Sequence, residues 1–141
     1  MTVTDSEDIM LVDMVLQNSG TTGLTMDGHG NGVTRSVIRG TGDLGLQLRC
    51  GDRSTLEYGG CFLTDSEVSD FGRWNRTYAP PERLEGCGNS VAHNRLHSAP
   101  HAAILFTGNE HRIAFNEIRD VVSEANDAGS KSNSKRTEVV Q

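Results

Sequence analysis

The sequence predicts an all-β solenoid, a stack of short coils, and three observations predict it. Five segments carry one apolar residue followed five positions later by another: Leu11/Leu16, Val33/Ile38, Leu63/Val68, Val91/Leu96 and Ile113/Ile118. Successive pairs lie 22, 30, 28 and 22 residues apart. Repeats of this period belong to architectures whose units are too small to bury an apolar face alone. Sixteen glycines suit a chain that turns every few residues. A content of 35% hydrophobic and 5% aromatic residues is lean for a globular core but fits a narrow aliphatic column.

Within a coil the reading is strand, turn, strand, turn, strand. Gly23, Leu24 and Met26 follow Leu16, and Gly45, Leu46 and Leu48 follow Ile38 at the same offsets. Ala103, Ile104 and Phe106 repeat the pattern after Leu96, and Gly28, Gly51 and Gly108 close the three segments. The pairs Leu24/Met26, Leu46/Leu48 and Ile104/Phe106 alternate as strands with one face inward. A helix over His93, His97 and His101 would align three imidazoles at zinc-like spacing, but Pro100 lies inside that run and breaks it. Asn94 and Asn116 stand two residues before Leu96 and Ile118, where Asn tolerates the left-handed turn conformation. Stacked Asn side chains would hydrogen-bond along the column. With Met14, Ser36 and Ser66 at the equivalent earlier positions, that ladder is expected only in the C-terminal half.

The third coil has two insertions, from Asp52 to Gly60 and from Arg73 to Glu82. Loops that grow from a regular scaffold commonly carry binding residues, and the second holds the only Trp. Residues 1–129 are assigned to the coils. Residues 130–141 break the repeat and read as a polar, disordered tail. Five coils at ~4.8 Å make a stack about 20–25 Å tall. No cap is evident at either end, so the stack reads as incomplete or uncapped, with self-association through the open coil ends.

Net charge is −6, with eleven Arg and only two Lys, Lys131 and Lys135. The absence of a basic stripe argues against a nucleic-acid partner, and a lysine base inside the repeats is excluded. No apolar run of ~18 residues would span a membrane, and the acidic start lacks a signal-peptide pattern; localisation is open. Cys50, Cys61 and Cys87 are odd in number and do not make a disulfide framework. Buried free thiols are the expectation, although Cys50 and Cys61 bracket one loop and could pair if oxidised.

Gly-Asn-Ser-Val-Ala-His-Asn-Arg-Leu-His from Gly88, Pro-His-Ala-Ala-Ile from Pro100 and Asn-Asp-Ala-Gly ending at Gly129 resemble right-handed parallel β-helix repeat proteins of the pectate-lyase-like superfamily. So do the earlier Gly-Asp-Arg-Ser-Thr-Leu and Arg-Trp-Asn-Arg-Thr-Tyr-Ala-Pro stretches. The resemblance covers roughly residues 8–129. It implies a right-handed parallel β-helix and a carbohydrate-related role, either as a glycoside hydrolase or a polysaccharide lyase acting on a polysaccharide or oligosaccharide. Members of that group continue after Asp-Ala-Gly with another coil, whereas this chain runs into its tail; a truncated, inactive fragment or a non-catalytic carbohydrate-binding β-helix is the alternative.

Candidate chemistry falls into two groups. Asp127, Glu124, His101 and His111 are the catalytic candidates. A histidine could serve as general base near neutral pH, or could simply pack between coils on the backbone. Two carboxylates about 5–9.5 Å apart would serve glycoside hydrolysis, and the same oxygens could equally hold Ca²⁺; no other cofactor is expected. Glu117 and Asp120 read as a solvated acidic edge. Arg73, Trp74, Arg76 and Tyr78 are the substrate-binding candidates, with aromatic faces for sugar rings and guanidinium forks for carboxylates; the alternative is a loop that covers the coil. His29, Asp27 and Asp13 have no evident partner and read as surface residues. Convergence of at least two catalytic groups within ~10 Å on one concave face would separate enzyme from binder.

Overall fold

The computed structural model describes residues 1–75, 80–98 and 100–121, together with the backbone of 135–140. The described residues are all β, without helices, and are built from five repeats, three strands each in repeats 1, 2 and 4, four in repeat 3 and two in repeat 5. Repeat 1 holds β1 (Thr2–Glu7), β2 (Met10–Val12) and β3 (Val15–Gln17), and repeat 2 holds β4 (Leu24–His29), β5 (Gly32–Thr34) and β6 (Val37–Arg39). Repeat 3 holds β7 (Leu46–Asp52), the short β8 (Glu57–Tyr58), β9 (Phe62–Thr64) and β10 (Glu67–Ser69). Repeat 4 holds β11 (Glu82–Cys87), β12 (Ser90–Ala92) and β13 (Arg95–His97). Repeat 5 has β14 (Ile104–Asn109) and one longer strand, β15 (Arg112–Arg119).

Equivalent strands pair in parallel, each with the next repeat. The first strands line up in the order β1-β4-β7-β11-β14. The second strands stack so that Leu11, Val33, Leu63, Val91 and Ile113 are register partners, and the third so that Leu16, Ile38, Val68, Leu96 and Ile118 are. The apolar pairs that mark the repeat are therefore the inward columns of two sheets, which β15 joins by running unbroken through both. Neither sheet closes on itself. Leu24, Met26, Leu46, Leu48 and Leu84 complete the core from the first sheet, fully buried.

The corners between strands follow a five-residue rhythm that apolar patterning does not reveal. Left-handed backbone recurs at Asp8, Asp13 and Asn18; at Gly30, Arg35 and Gly40; at Gly60, Asp65 and Asp70; at Gly88, His93 and Ser98; and at Glu110, Phe115 and Asp120. Each repeat thus turns three corners with one left-handed residue apiece. The turn residues are His93 and Phe115, one position before Asn94 and Asn116, which instead point inward and are buried. A left-handed L-residue costs about 1–2 kcal/mol where no short polar side chain or glycine relieves it, so Arg35, His93 and Phe115 are held there by the stack.

Two polar ladders bind the corners together. At the second corner the backbone N–H of Met14 donates to Ser36 Oγ, that of Ser36 to Ser66 Oγ, that of Ser66 to Asn94 Oδ1 and that of Asn94 to Asn116 Oδ1, over 2.9–3.1 Å. The ladder was expected only in the C-terminal half; serine hydroxyls carry it through the earlier repeats. At the first corner Ile9 N–H donates to Asn31 Oδ1, Cys61 N–H to Asn89 Oδ1 and Asn89 N–H to His111 Nδ1. These side chains satisfy buried backbone donors that the bends remove from strand pairing.

Repeat 3 departs from the others. Its first insertion forms a hairpin, with β8 antiparallel to the end of β7, and brings Cys61 onto Cys50. The two form a disulfide with Cα atoms 6.0 Å apart, while Cys87 is a buried free thiol. The expectation of three free thiols is corrected: the hairpin returns the chain so that Cys61 takes the ladder position held by Asn31 and Asn89 in the flanking repeats. The second insertion ends earlier than the sequence suggested. Pro80 and Pro81 are buried, and Glu82 opens β11 as the register partner of Leu46 and Ile104. Glu82 is 1% exposed. Among the described residues neither carboxylate oxygen has a hydrogen-bond partner, and burial pushes its carboxyl up to about 8. Within the segment read as a polar tail, β16 (Lys135–Val140) pairs antiparallel with β15, from Arg112↔Val140 to Ile118↔Lys135.

Candidate functional site

The loop after β10 supplies the candidate site, and its position follows from backbone bonds to the repeat below. Gly72 N–H donates to Asp43 O, Arg73 N–H to Thr41 O, and the N–H groups of Trp74 and Asn75 to Gly42 O. The loop is thereby fixed on the third corner of repeat 2. Trp74 is 83% exposed, and its ring edge lies over Gly42, where an added Cβ would stand 2.6 Å from Trp74 Cδ1. Only glycine lets the indole lie that close to the backbone.

Beside Trp74 runs a groove of about 790 Å³ lined by Gln17, Arg39, Asp70, Arg73, Ser98, Pro100 and Asp120, among others. Its charged residues come from three repeats because the third corners stack. The arginines of the neighbouring surface are engaged: Arg35 with Asp13, Arg49 with Asp27, Arg95 with Glu67 and Glu117, and Arg119 with Glu117. Those of the groove differ. Arg39 Nε and Nη2 both donate to the neutral Gln17 Oε1, at 3.2 and 3.0 Å, and among the described residues neither Arg39 nor Arg73 has a carboxylate within ion-pair reach. Two guanidinium groups out of contact with any described carboxylate therefore line one groove, with Asp70 and Asp120 elsewhere on its wall and the exposed indole of Trp74 next in sequence to Arg73. That combination can hold an anion by charge-assisted, forked hydrogen bonds.

The sequence-predicted residues are placed as follows. Arg73 lines the groove and Trp74 stands beside it. His101 is half-buried in the bend after Pro100, a groove-lining residue. His111 is buried at the first corner, where Nδ1 accepts from Asn89 N–H and Nε2 lies 3.2 Å from Thr107 O. Its ring takes the ladder position of Asn31 and Asn89. Arg76, Tyr78, Glu124 and Asp127 lie outside the described residues.

Two residues read as partnerless are in fact paired, and a third lies close to a carboxylate. Asp13 accepts two 2.9 Å bonds from Arg35, which hold its carboxyl below the usual range. Asp27 pairs with Arg49 at 2.9 Å, and His29 lies 3.3 Å from Glu57. The first two partners are 22 residues on, one repeat away, so the period predicts them. Sequence reasoning missed Arg39 and Asp70 in the groove and read Asp120 as a solvated acidic edge; the five-residue corner rhythm was the signal that locates them. Among the described residues no group of three or more His, Cys, Asp or Glu is gathered to hold a metal ion. Comparison with protein-family models, curated proteins and solved structures finds no match, so the functional reading rests on this chain's own residues.

Proposed function

We propose that the stacked repeats form a right-handed parallel β-helix and that the third-corner groove binds an acidic polysaccharide. Handedness rests on the strong right-handed preference of connections between parallel strands of one sheet. The functional reading rests on one observation: Arg39 and Arg73, without carboxylate partners, line a groove beside the exposed Trp74. A uronate carboxylate supplies the missing counter-anion, and the indole face supports a sugar ring. Binding to a panel of neutral and uronate-bearing polysaccharides tests it, with wild type, Trp74→Ala and the double variant Arg39→Gln/Arg73→Gln. Wild type should bind the uronate polymers only, more weakly as salt rises, and the double variant should lose at least about tenfold, roughly one charge-assisted hydrogen bond. Equal retention of neutral polymers, or a double variant that binds as wild type does, would sink the proposal.

A catalytic reading has its own support. Asp70 and Asp120 line the same groove two repeats apart, about 10 Å along the stack, close to the roughly 6.5–9.5 Å of an inverting carboxylate pair. Asp120 also leads in sequence toward Glu124 and Asp127, and His101 follows Pro100 on the groove wall. Reducing ends released from a bound polymer and lost in Asp70→Asn and Asp120→Asn would favour hydrolysis; an unsaturated uronate absorbance would favour elimination. His111, committed to the ladder at both ring nitrogens, is not assigned a chemical step.

A further inference from the structure

A second groove, of about 630 Å³, lies at the second corner, on the other edge of the outer face formed by β3, β6, β10, β13 and β15. Its rim carries a stacked pair, His93 and Phe115, with ring centroids 5.0 Å apart and planes 18° from parallel. Phe115 is 44% exposed. Both residues hold left-handed backbone, φ 58° and 56°. That conformation disfavours a bulky side chain, and strained residues of this kind cluster at ligand clamps. The corner requires the left-handed backbone, but nothing in the corner requires an aromatic ring there, and Phe115 leaves its ring half-exposed.

The charges of this groove are opposite in availability to those of the first. Asp65, Glu67 and Glu117 face it against Arg35 and Arg95. Arg35 is committed to Asp13, and Arg95 to Glu67 and Glu117. No guanidinium is left for a ligand carboxylate, and the acidic excess repels one. The groove offers an aromatic platform and carboxylate acceptors for hydroxyl or amide donors. It lies one corner-to-corner step from the third-corner groove, five residues or about 16 Å along the chain.

We infer that the second-corner groove is a second subsite for the same chain, one that takes an uncharged sugar, so that the ligand is a heteropolymer in which uronate residues are followed by neutral or N-acylated sugars. This rests on the polysaccharide reading above and adds its specificity. His93 and Phe115 take the face of the uncharged ring, Asp65, which among the described residues no arginine pairs, accepts from its hydroxyl or amide groups, and Arg39 and Arg73 hold the uronate.

The test compares two probes of similar length, a polygalacturonate (all uronate) and hyaluronan (uronate alternating with an N-acetylated sugar), by calorimetry. Wild type, Phe115→Gly, Phe115→Asn and Trp74→Ala are measured, with thermal melts alongside. Glycine and asparagine both tolerate the left-handed turn, so two independent variants keep the corner intact. The expected result is tighter binding of hyaluronan, reduced about tenfold in both Phe115 variants, the scale of an aromatic stacking contact, with polygalacturonate binding unchanged. Trp74→Ala should weaken both probes. If polygalacturonate binds as tightly as hyaluronan, or if the Phe115 variants bind hyaluronan as wild type does, the second subsite is overturned while the third-corner reading stands. If wild type binds neither probe, both fall.

Discussion

Repeats 1 and 2 and repeats 3 and 4 solve the same stacking problem by different means. Between repeats 1 and 2 the step is a clean 22 residues. The first-strand column there sets Val3 on Met26, and serine and asparagine hold the corners. Repeats 3 and 4 carry the hairpin, the disulfide in place of a ladder residue, the Trp74 loop and a lone glutamate where leucine belongs, whereas repeats 1 and 2 depart from regular pairing only by a register shift between Val3 and Ser6. The difference teaches where the scaffold tolerates novelty. Insertions enter at corners, because only corners escape strand pairing. The single inward irregularity, Glu82, stands directly after an insertion.

Replacing the exceptional residue by the regular one makes the sharpest test. Glu82→Leu copies Leu46 and should stabilise the protein by on the order of 3 kcal/mol at pH 7. The sign follows from the raised carboxyl. Below about pH 4.5 the glutamate is protonated folded and unfolded, and costs nothing by ionisation. Between 4.5 and about 8 only the unfolded chain ionises, so wild-type stability falls across that window and levels off above it. Denaturant melts at pH 4, 6 and 8 should differ least at the acid end, where only the unpaired neutral carboxyl separates the two proteins, and diverge toward the alkaline end. Parallel curves would mean that the carboxyl is solvated.

Removing the disulfide should cost slightly less. The Cys50–Cys61 link closes a loop of sequence separation 11, which the chain-entropy model values at about 3 kcal/mol. Cys50→Ser/Cys61→Ser should lower the melting temperature accordingly, and reductant should do the same to wild type and nothing to the variant. A wild type indifferent to reductant would show that the hairpin holds without the link.

The smallest effect is the most diagnostic for His111. Replacing it by alanine leaves Asn89 N–H unsatisfied and should cost about 1–2 kcal/mol. His111→Asn restores the residue that the ladder carries at positions 31 and 89, and should recover most of that loss. If asparagine is as damaging as alanine in melts, the imidazole does something other than extend the ladder.

Much of this architecture could be read in the sequence, and the reason is the period. Leu11/Leu16 and their successors mark the two inward columns because the second and third strands each turn a single aliphatic residue inward. Both insertions were visible as interruptions of that count. Glu82 was not, because its place in the column goes against its chemistry. The first-corner ladder escaped because asparagine and histidine do one job at one position, with Cys61 interrupting them and no shared letter to reveal it. The disulfide was obscured for a related reason: nothing in the spacing says that a nine-residue insertion doubles back. In the site, Arg73 and Trp74 stood out as an aromatic and basic loop. Arg39, Asp70 and Asp120 looked unremarkable until stacking of the third corners set them side by side.

The corner rhythm has a consequence for how such a chain changes over time. Leu11 and Leu16, and each pair stacked on them, are five residues apart with a left-handed turn between. Each strand of these two columns needs one aliphatic residue, and each corner one residue that accepts left-handed backbone. Most other outward letters are constrained by neither, and even the ladder accepts Ser, Asn or His. Two chains could therefore share every register pair described here and agree at few positions. Stability in this architecture is compatible with rapid drift of the surface, which is where any ligand is met.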